Sequence, residues 1–315
     1  MPLLLLGIVV GAVTPIQTAV NTRLRMAVGT PFRASLVSFA VGLATMLIAS
    51  LVLGPYPLVP DSAWQGPWWM WLAGLFGVIF MTGNVLLLPK LGSLQTVIMP
   101  VCGQILMGLL IDGFGWFGNP QRPMTPLRII GTILALFGFV TAIVIADMVR
   151  RGGICHHRDN AETTLPMTIW LWRGVGILCG MSSATQTAML GRLGTALGSP
   201  IKASFVSFLL GFAALLAIVV IRDRGFGLRK AISVKNPWWM WIGGLLGATV
   251  VLTNAALSPL LGTGLTVLVA LLGQVIGSLL IDTFGWFSVT KRHVGIVQIA
   301  GVVIAVLGIA MIRLS

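Results

Sequence analysis

The sequence predicts an all-α membrane protein whose ten transmembrane helices form two five-helix repeats of opposite orientation. Three observations lead to this fold class: a composition with too little charge for a water-facing surface, ten apolar segments of spanning length, and an internal repeat. Charged residues are 9% of the 315 residues, apolar residues are 57%, and the mean hydropathy is +1.00. About a quarter of an ordinary globular chain is charged. The composition therefore excludes a soluble protein.

Ten apolar segments are long enough to be spans, since a helix that crosses the hydrocarbon core needs about 20 residues. The charge-free run 236–281 is broken at Ser258-Pro259 and at Gly262-Thr263-Gly264, so it holds two spans. The N-terminus lacks the basic region of a cleaved signal peptide, and we expect it to remain as the first span. The predicted spans are 3–22, 32–54, 68–88, 93–113, 127–147, 168–189, 201–221, 238–257, 264–282 and 294–312.

The ten spans are two copies of one set of five. The segment 34–39 recurs as 203–208 at an offset of 169 residues, and the Pro-Trp-Trp-Met-Trp sequence at 67–71 recurs as 237–241 at an offset of 170. The segment that ends with an aromatic cluster at 110–117 recurs at 280–287. Matches at a near-constant offset along the whole chain are not accidental. We therefore expect a first repeat at 1–147, a polar linker at 148–166 and a second repeat at 167–315.

The distribution of Lys and Arg predicts the orientation. An odd number of spans per repeat means that the second repeat enters the membrane from the opposite side. Loops after the odd-numbered spans, together with the span ends that adjoin them, carry 15 of the 20 Lys and Arg residues, and the other side with both termini carries 5. The positive-inside rule then places the linker in the cytoplasm and both termini outside. Inverted repeats are typical of carriers that work by alternating access, with the solute near the midplane.

Amide side chains inside the spans are the candidates for solute binding. Three pairs recur at matching positions of the two repeats, while Asn21 is matched by Leu190. One interpretation is that these amides line a cavity and bind a solute; the alternative is that they join helices through hydrogen bonds worth about 0.6–2 kcal/mol each. The predicted cavity residues are Gln17, Asn21, Asn84, Gln104, Gln186, Asn254 and Gln274.

Two aspartates at matching helix ends are candidates for gates. Asp112 and Asp282 each lie about one turn before an aromatic cluster. The predicted topology puts Asp112 near Arg192 and Lys202 at the outer face. It puts Asp282 near the cations of the cytoplasmic face, which are Arg23, Arg25 and Arg33. We expect ion pairs between repeats that close the two entrances in turn, or a proton carrier at either carboxylate; the alternative is a simple anchor at a helix end.

Other chemistries find little support in the sequence. The net charge of +13 belongs to short loops between spans, which orientation and lipid headgroups explain better than nucleic acid. Three cysteines, two of them within spans, do not suggest a disulfide framework. Adjacent residues such as those of 155–159 rarely surround one metal ion, so we expect a solvated linker there. No nucleophile, base and orienting group converge, and we expect neither an enzyme nor a cofactor.

Several of these motifs resemble the YdcZ-type branch of the drug/metabolite transporter superfamily. They are Gln17-x-x-x-Asn21-x-x-Leu24, Ser38-Phe39-x-x-Gly42, Pro67-Trp68-Trp69, Gly103-Gln104 and Leu110-Ile111-Asp112-x-Phe114-Gly115, with most repeated in the second half. Because members of this branch are often single five-helix units, the chain looks like a fused pair. The resemblance implies a bundle around a cavity formed by helices 1, 3, 4, 6, 8 and 9. Well-studied exporters of the superfamily commonly have cytoplasmic termini, unlike the orientation predicted here.

The resemblance and the repeat together predict a multi-pass carrier in a bacterial inner membrane that exports a small metabolite or drug-like solute. The alternative is a non-transporting assembly or accessory protein in which the same amides join helices. The expected partners are the solute and membrane lipids, without nucleic acid, and a homodimer is left open.

Overall fold

Helices that match the predicted spans make up the two halves of the chain. The computed structural model describes residues 2–53, 57, 59–142, 166–223, 225, 236–284 and 295–314. The helices are α1 (Pro2–Val28), α2 (Pro31–Leu53), α3 (Trp68–Gly83), α4 (Met99–Phe114), α5 (Pro126–Val140), α6 (Pro166–Ala196), α7 (Pro200–Asp223), α8 (Gly243–Leu261), α9 (Thr263–Phe284) and α10 (Ile296–Leu314). In α1, the helices Pro2–Gly11 and Val13–Val28 meet at Ala12.

Proline, threonine and glycine set the ends of several helices. Pro31 and Pro200 start α2 and α7, where a missing backbone N–H loses no helical hydrogen bond. Gly29 ends α1 in a left-handed conformation with φ of 91° and donates its N–H to the Arg25 carbonyl. Thr125 begins α5 by accepting the Arg128 N–H at its side-chain oxygen.

From Ala73 onward, α3 and α4 lie in one helical element, Ala73–Phe114, of 42 residues. A straight helix of this length would extend about 63 Å, about twice the thickness of the hydrocarbon core. Gly83 in α3 contacts Cys179 of α6, and Gly103 in α4 contacts the neighbouring Ile177. Both arms therefore lie beside the same turn of α6, and the chain reverses between them. The matching reversal in the second half is a break at Gly262, with φ of 85° and ψ of 157°.

Glycines allow the helices of one repeat to cross those of the other at close range. Gly11 of α1 packs on the backbone of Ala270 in α9, and the matched Gly180 of α6 packs on the backbone of Pro100 in α4. A side chain at either glycine would overlap a carbonyl group. The helix α1 thus lies between α8 and α9, and α6 lies between α3 and α4. Small residues at such crossings are typical of membrane helices, which pack by close backbone approach.

Two further pairs of helices join the repeats. The helices α2 and α7 contact each other through Phe39 and Phe208, whose ring centroids are 5.2 Å apart. The helices α5 and α10 cross at glycines, with Gly138 packed on the backbone of Ala305. Isoleucines and a phenylalanine on the outer face of α5 are exposed, as expected for a face toward lipid.

The spanning lengths agree with a multi-pass membrane protein. Among the described helices, α1, α2, α7, α8, α9 and α10 are each long and apolar enough to cross a membrane. The apolar stretches of α3, α4 and α5 are shorter, and α6 carries more hydroxyl and amide residues along its length. The fold is the predicted one, an all-α bundle of two inverted five-helix repeats.

Two predicted helix ends fall short of the observed ones. The first span was predicted at 3–22 and the sixth at 168–189, whereas α1 continues to Val28 and α6 to Ala196. The prediction stopped at arginines, but a helix need not end where its apolar residues end. Arginine side chains extend into the headgroup region while their backbone stays helical. The predicted linker at 148–166 lies outside the described residues except for Pro166.

Candidate solute site and end closure

The first candidate feature is a pair of amides on α1 that faces α8. Gln17 and Asn21 are one turn apart and lie opposite Gly247 and Gly243, which are also one turn apart. A Cβ atom at Gly247 would be 2.5 Å from Gln17 Nε2, and one at Gly243 would overlap Asn21 Oδ1. The glycines of α8 therefore provide the space that these amides occupy.

The second half repeats only part of this arrangement. Gln186 of α6 faces Gly77 of α3, where a Cβ atom would again be 2.5 Å from the amide nitrogen. At the next turn, however, Leu190 and Ala73 replace the amide and the glycine. Both belong to one buried hydrophobic cluster, with exposed fractions of 1% and 0%. The matched glutamines are symmetric, whereas Asn21 has no polar counterpart.

The glutamines of α4 and α9 lie beside the helix crossings. Gln104 is buried and follows Gly103, which packs on α6. Gln274 is partly buried and follows Gly273, which packs on the Ile8 carbonyl of α1. Gln104 therefore lies beside the crossing of α4 with α6, and Gln274 lies beside the crossing of α9 with α1.

Three predicted residues are less well placed by the structure. Asn254 is partly buried in α8, on the helix that carries Gly247. The side chains of Asn84 and Asp282 lie outside the part of the chain that the structure describes, as does the segment 155–159 considered for metal binding. Within the described part, no three His, Cys, Asp or Glu residues come together as a metal site.

Asp112, at the end of α4, is the centre of a polar closure between the repeats. Its carboxylate is fully buried and forms an ion pair with Arg128 of α5, whose exposed fraction is 4%. Oδ1 accepts the backbone N–H of Thr263 at 2.8 Å, and Oδ2 accepts that of Gly264 at 3.0 Å. These are the first residues of α9, so the carboxylate also interacts with the positive end of that helix dipole. Asp112 thereby attaches α9 of the second repeat to α4 and α5 of the first.

Neighbouring groups extend this closure, which we call the Asp112 end of the bundle. The hydroxyl of Thr263 donates to Asn119 Oδ1 at 3.2 Å and lies 3.2 Å from the hydroxyl of Ser258. Arg122 donates to the Leu260 carbonyl at 3.5 Å. Residues near Asp112 in the first repeat and residues near Thr263 in the second repeat are therefore joined at one end of the bundle.

The ion-pair partners expected for Asp112 are not the ones observed. Lys202 is buried and donates from Nζ to the Pro57 carbonyl at 2.6 Å. Arg192 is exposed and lies over Gly118. Asp112 instead pairs with Arg128, because Arg128 is in the first turn of α5 and the loop between α4 and α5 folds back beside α4, with the Arg122 N–H bonded to the Asp112 carbonyl at 2.8 Å.

The opposite end of the bundle, which we call the Asp223 end, has its own contact between repeats. Arg33 of α2 forms an ion pair with Asp223 at the end of α7, with Nε and Oδ2 3.4 Å apart. The hydroxyl of Thr30 donates to the same carboxylate at 2.6 Å. Arg23 donates to Asn236 Oδ1 at 3.4 Å. Arg33 and Lys202 are matched residues of the two repeats. Arg33 bonds to the last residue of α7, and Lys202 bonds to Pro57 after the end of α2, so each end has a cation of one repeat bonded to the other.

Sequence reasoning missed Arg128, Asn119 and Asp223 as partners. Arg128 was counted only as an orientation charge, although it is the next cation after Arg122 at the same end as Asp112. Its position three residues after Thr125, a residue type that caps helices, indicates that Arg128 lies in the first turn of a helix. Nothing in the sequence pattern pointed to Asn119, since its loop follows no regular period.

This arrangement defines a class: multi-pass membrane transporters made of two inverted five-helix repeats. The chain belongs to the DMT_YdcZ family, described as "Putative inner membrane exporter, YdcZ", whose family model matches residues 2–141 and 171–311. The two matched stretches confirm the fused form expected from the resemblance, and the family is one of inner membrane exporters in general. No curated protein matches the sequence. Among the solved structures with a similar fold is a crystal structure with a TM-score of 0.66 at 17% identity, which covers 98% of this chain and 94% of the other.

Proposed function

We propose that this chain is a carrier that exports a small solute across the inner membrane by alternating access. The solute binds between α1, α4, α6, α8 and α9, where Gln17, Asn21, Gln104, Gln186 and Gln274 are the candidate contacts. The observation that carries the proposal is the closure at Asp112, where a buried ion pair and two backbone N–H groups join the repeats. The cation of this pair, Arg128, is replaced by Gln298 at the matched position of the second repeat.

The matched positions differ at this closure, which gives the two conformations of a carrier unequal energies. The second repeat has Asp282 where the first has Asp112, but Gln298 where the first has Arg128. Gln298 accepts the Gly295 N–H at 2.9 Å at the start of its own helix. Gln298 cannot form an ion pair, so these two matched residues do not reproduce the Asp112–Arg128 contact. From the count of Lys and Arg in the loops, we assign the Asp112 end to the outer face.

Alternating access can be tested without knowing the solute. The three native cysteines are replaced by alanine, and Gln274→Cys is introduced as the single labelling site. A membrane-impermeant maleimide is applied to spheroplasts, which present the outer face, and to inverted vesicles, which present the inner face. A carrier gives labelling from both sides because the central site opens to each face in turn. A protein in which Gln274 only joins helices gives labelling from neither side.

A crosslink across the closure provides the control. Asn119→Cys and Thr263→Cys, whose native side-chain oxygens are 3.2 Å apart, are added and oxidised to a disulfide. We expect labelling of the thiol introduced at position 274 to stop from the outer face and to persist from the inner face, and a reducing agent to restore both. Equal labelling from both faces with the disulfide intact would contradict a gate at the Asp112 end.

A further inference from the structure

A polar stripe on α1 has features that packing does not account for. Thr14, Gln17 and Asn21 follow the spacing i, i+3, i+7 and therefore lie on one face of the helix. Thr14 Oγ1 and Asn21 Oδ1 are both buried, and neither has a hydrogen-bond partner among the residues that the structure describes. A buried polar atom without a partner costs about 1–3 kcal/mol. A stripe with two such atoms is an unfavourable way to join helices.

The second repeat shows what packing alone requires at the same place. The matched residues there are Ser183, Gln186 and Leu190. Leu190 and Ala73 fill the positions of Asn21 and Gly243 with a fully buried apolar contact. The fold is therefore compatible with leucine and alanine at this turn, and the amide with its facing glycine is a feature of the first repeat alone.

We infer that the polar stripe of Thr14, Gln17 and Asn21, which is seated against the glycines of α8, binds an uncharged solute that carries an amide-like edge, such as a carboxamide, a ureide or a nucleobase. This inference rests on the proposed carrier function and names its solute class. Asn21 Oδ1 is an acceptor that requires an N–H or O–H donor. The Gln17 amide offers both a donor and an acceptor, so a solute edge with both groups satisfies it.

The lack of charged residues on α1 and α8 beside Thr14 and Gln17 disfavours an ionic solute there. The first acidic residue of the chain is Asp61, and 236–281 contains no charged residue, so neither α1 nor α8 supplies a carboxylate. A buried cation would have no counter-charge from these helices, which is strongly unfavourable. Arg23, the nearest cation along α1, donates to Asn236. An anion at the stripe would likewise receive no counter-charge from these helices at the depth of Thr14 and Gln17.

The test uses the second repeat as a template. Asn21→Leu with Gly243→Ala gives the first repeat the residues that the second has, so this double variant should fold and unfold at the same temperature as the wild type or higher. Thr18→Leu is the matched control, because Thr18 is exposed on the same helix. Nicotinamide, allantoin and uracil are the uncharged probes, and tetraphenylphosphonium and spermidine are the charged ones. Binding is measured by thermal shift, and uptake is measured in proteoliposomes.

We expect at least one uncharged probe to bind the wild type and Thr18→Leu equally. Its affinity for the double variant should fall about tenfold or more, as for a lost buried hydrogen bond. Unchanged affinity in the double variant, or binding of the charged probes alone, overturns the assignment while leaving the carrier function standing. No binding of any uncharged probe also overturns it. Failure of the carrier function is recognised separately, by the absence of two-sided labelling in the Gln274→Cys variant.

Discussion

Removing the carboxylate of Asp112 tests the closure between the repeats most directly. Asp112→Asn keeps the size of the side chain and one oxygen, which can accept the Thr263 N–H. It loses the acceptor for Gly264 and leaves the Arg128 guanidinium buried beside a neutral amide. Breaking a buried ion pair by removing one partner costs about 3–5 kcal/mol. Because Asp112 is fully buried and Arg128 is nearly so, we expect Asp112→Asn to lower the free energy of unfolding by an amount within this range.

Arg128→Gln completes a double-mutant cycle and also reproduces the residue of the second repeat. Alone, it leaves the Asp112 carboxylate buried with only the two N–H groups of α9 and should also cost about 3–5 kcal/mol. With both changes, neither charge remains buried and the two amides can bond to each other. We therefore expect the double variant to be more stable than the sum of the single losses predicts, with a coupling energy of about 2 kcal/mol or more.

The assay is the free energy of unfolding of the purified protein in mixed micelles, titrated with SDS and followed by tryptophan fluorescence. Arg192→Gln is the matched control, since this arginine is exposed at the same end and its loss should change stability by less than about 0.5 kcal/mol. Single losses below about 1 kcal/mol, or a double variant equal to the sum of the singles, would refute the view that a buried ion pair holds this end together.

Two further predictions concern packing and helix ends. Gly180→Ala should destabilise the protein by about 1–3 kcal/mol, because its methyl group would meet the Pro100 carbonyl. Gly174→Ala on the same helix has open space and should be neutral or stabilise the protein by up to about 1 kcal/mol. SDS unfolding compares the two variants, and equal effects would contradict the close crossing. Thr125→Ala should cost about 0.5–2 kcal/mol through loss of the cap of α5. Thr18→Ala removes an exposed hydroxyl of α1 and should cost less in the same titration; equal losses would argue against the cap.

The sequence predicted the ten spans, the duplication and the family because each of these is a repeated or averaged property. Apolar runs and matched segments tolerate local error, so the fold follows even where α1 and α6 extend beyond their predicted ends. The partner of Asp112 was wrong because it depends on how one loop folds and how α5 is rotated. Proximity across a predicted face favoured Arg192 and Lys202, while the loop that begins at Gly115 turned Arg128 toward the carboxylate instead.

In an internally duplicated chain, each residue can be compared with the residue at the matched position of the other repeat. Where both repeats keep a residue, as with Gln17 and Gln186 opposite their glycines, the same contact is present in both halves. Such a contact cannot favour one end of the bundle over the other, because the inverted half presents it in reverse. Only positions that differ between the repeats have unequal interactions in two opposite conformations, and only unequal interactions shift a conformational equilibrium. Arg128, matched by Gln298, is such a position at the closure, and Asn21, matched by Leu190, is one at the stripe. For the proposed carrier, we therefore expect a preference for closure at the Asp112 end and the selection of a solute to depend on the positions where the two repeats differ.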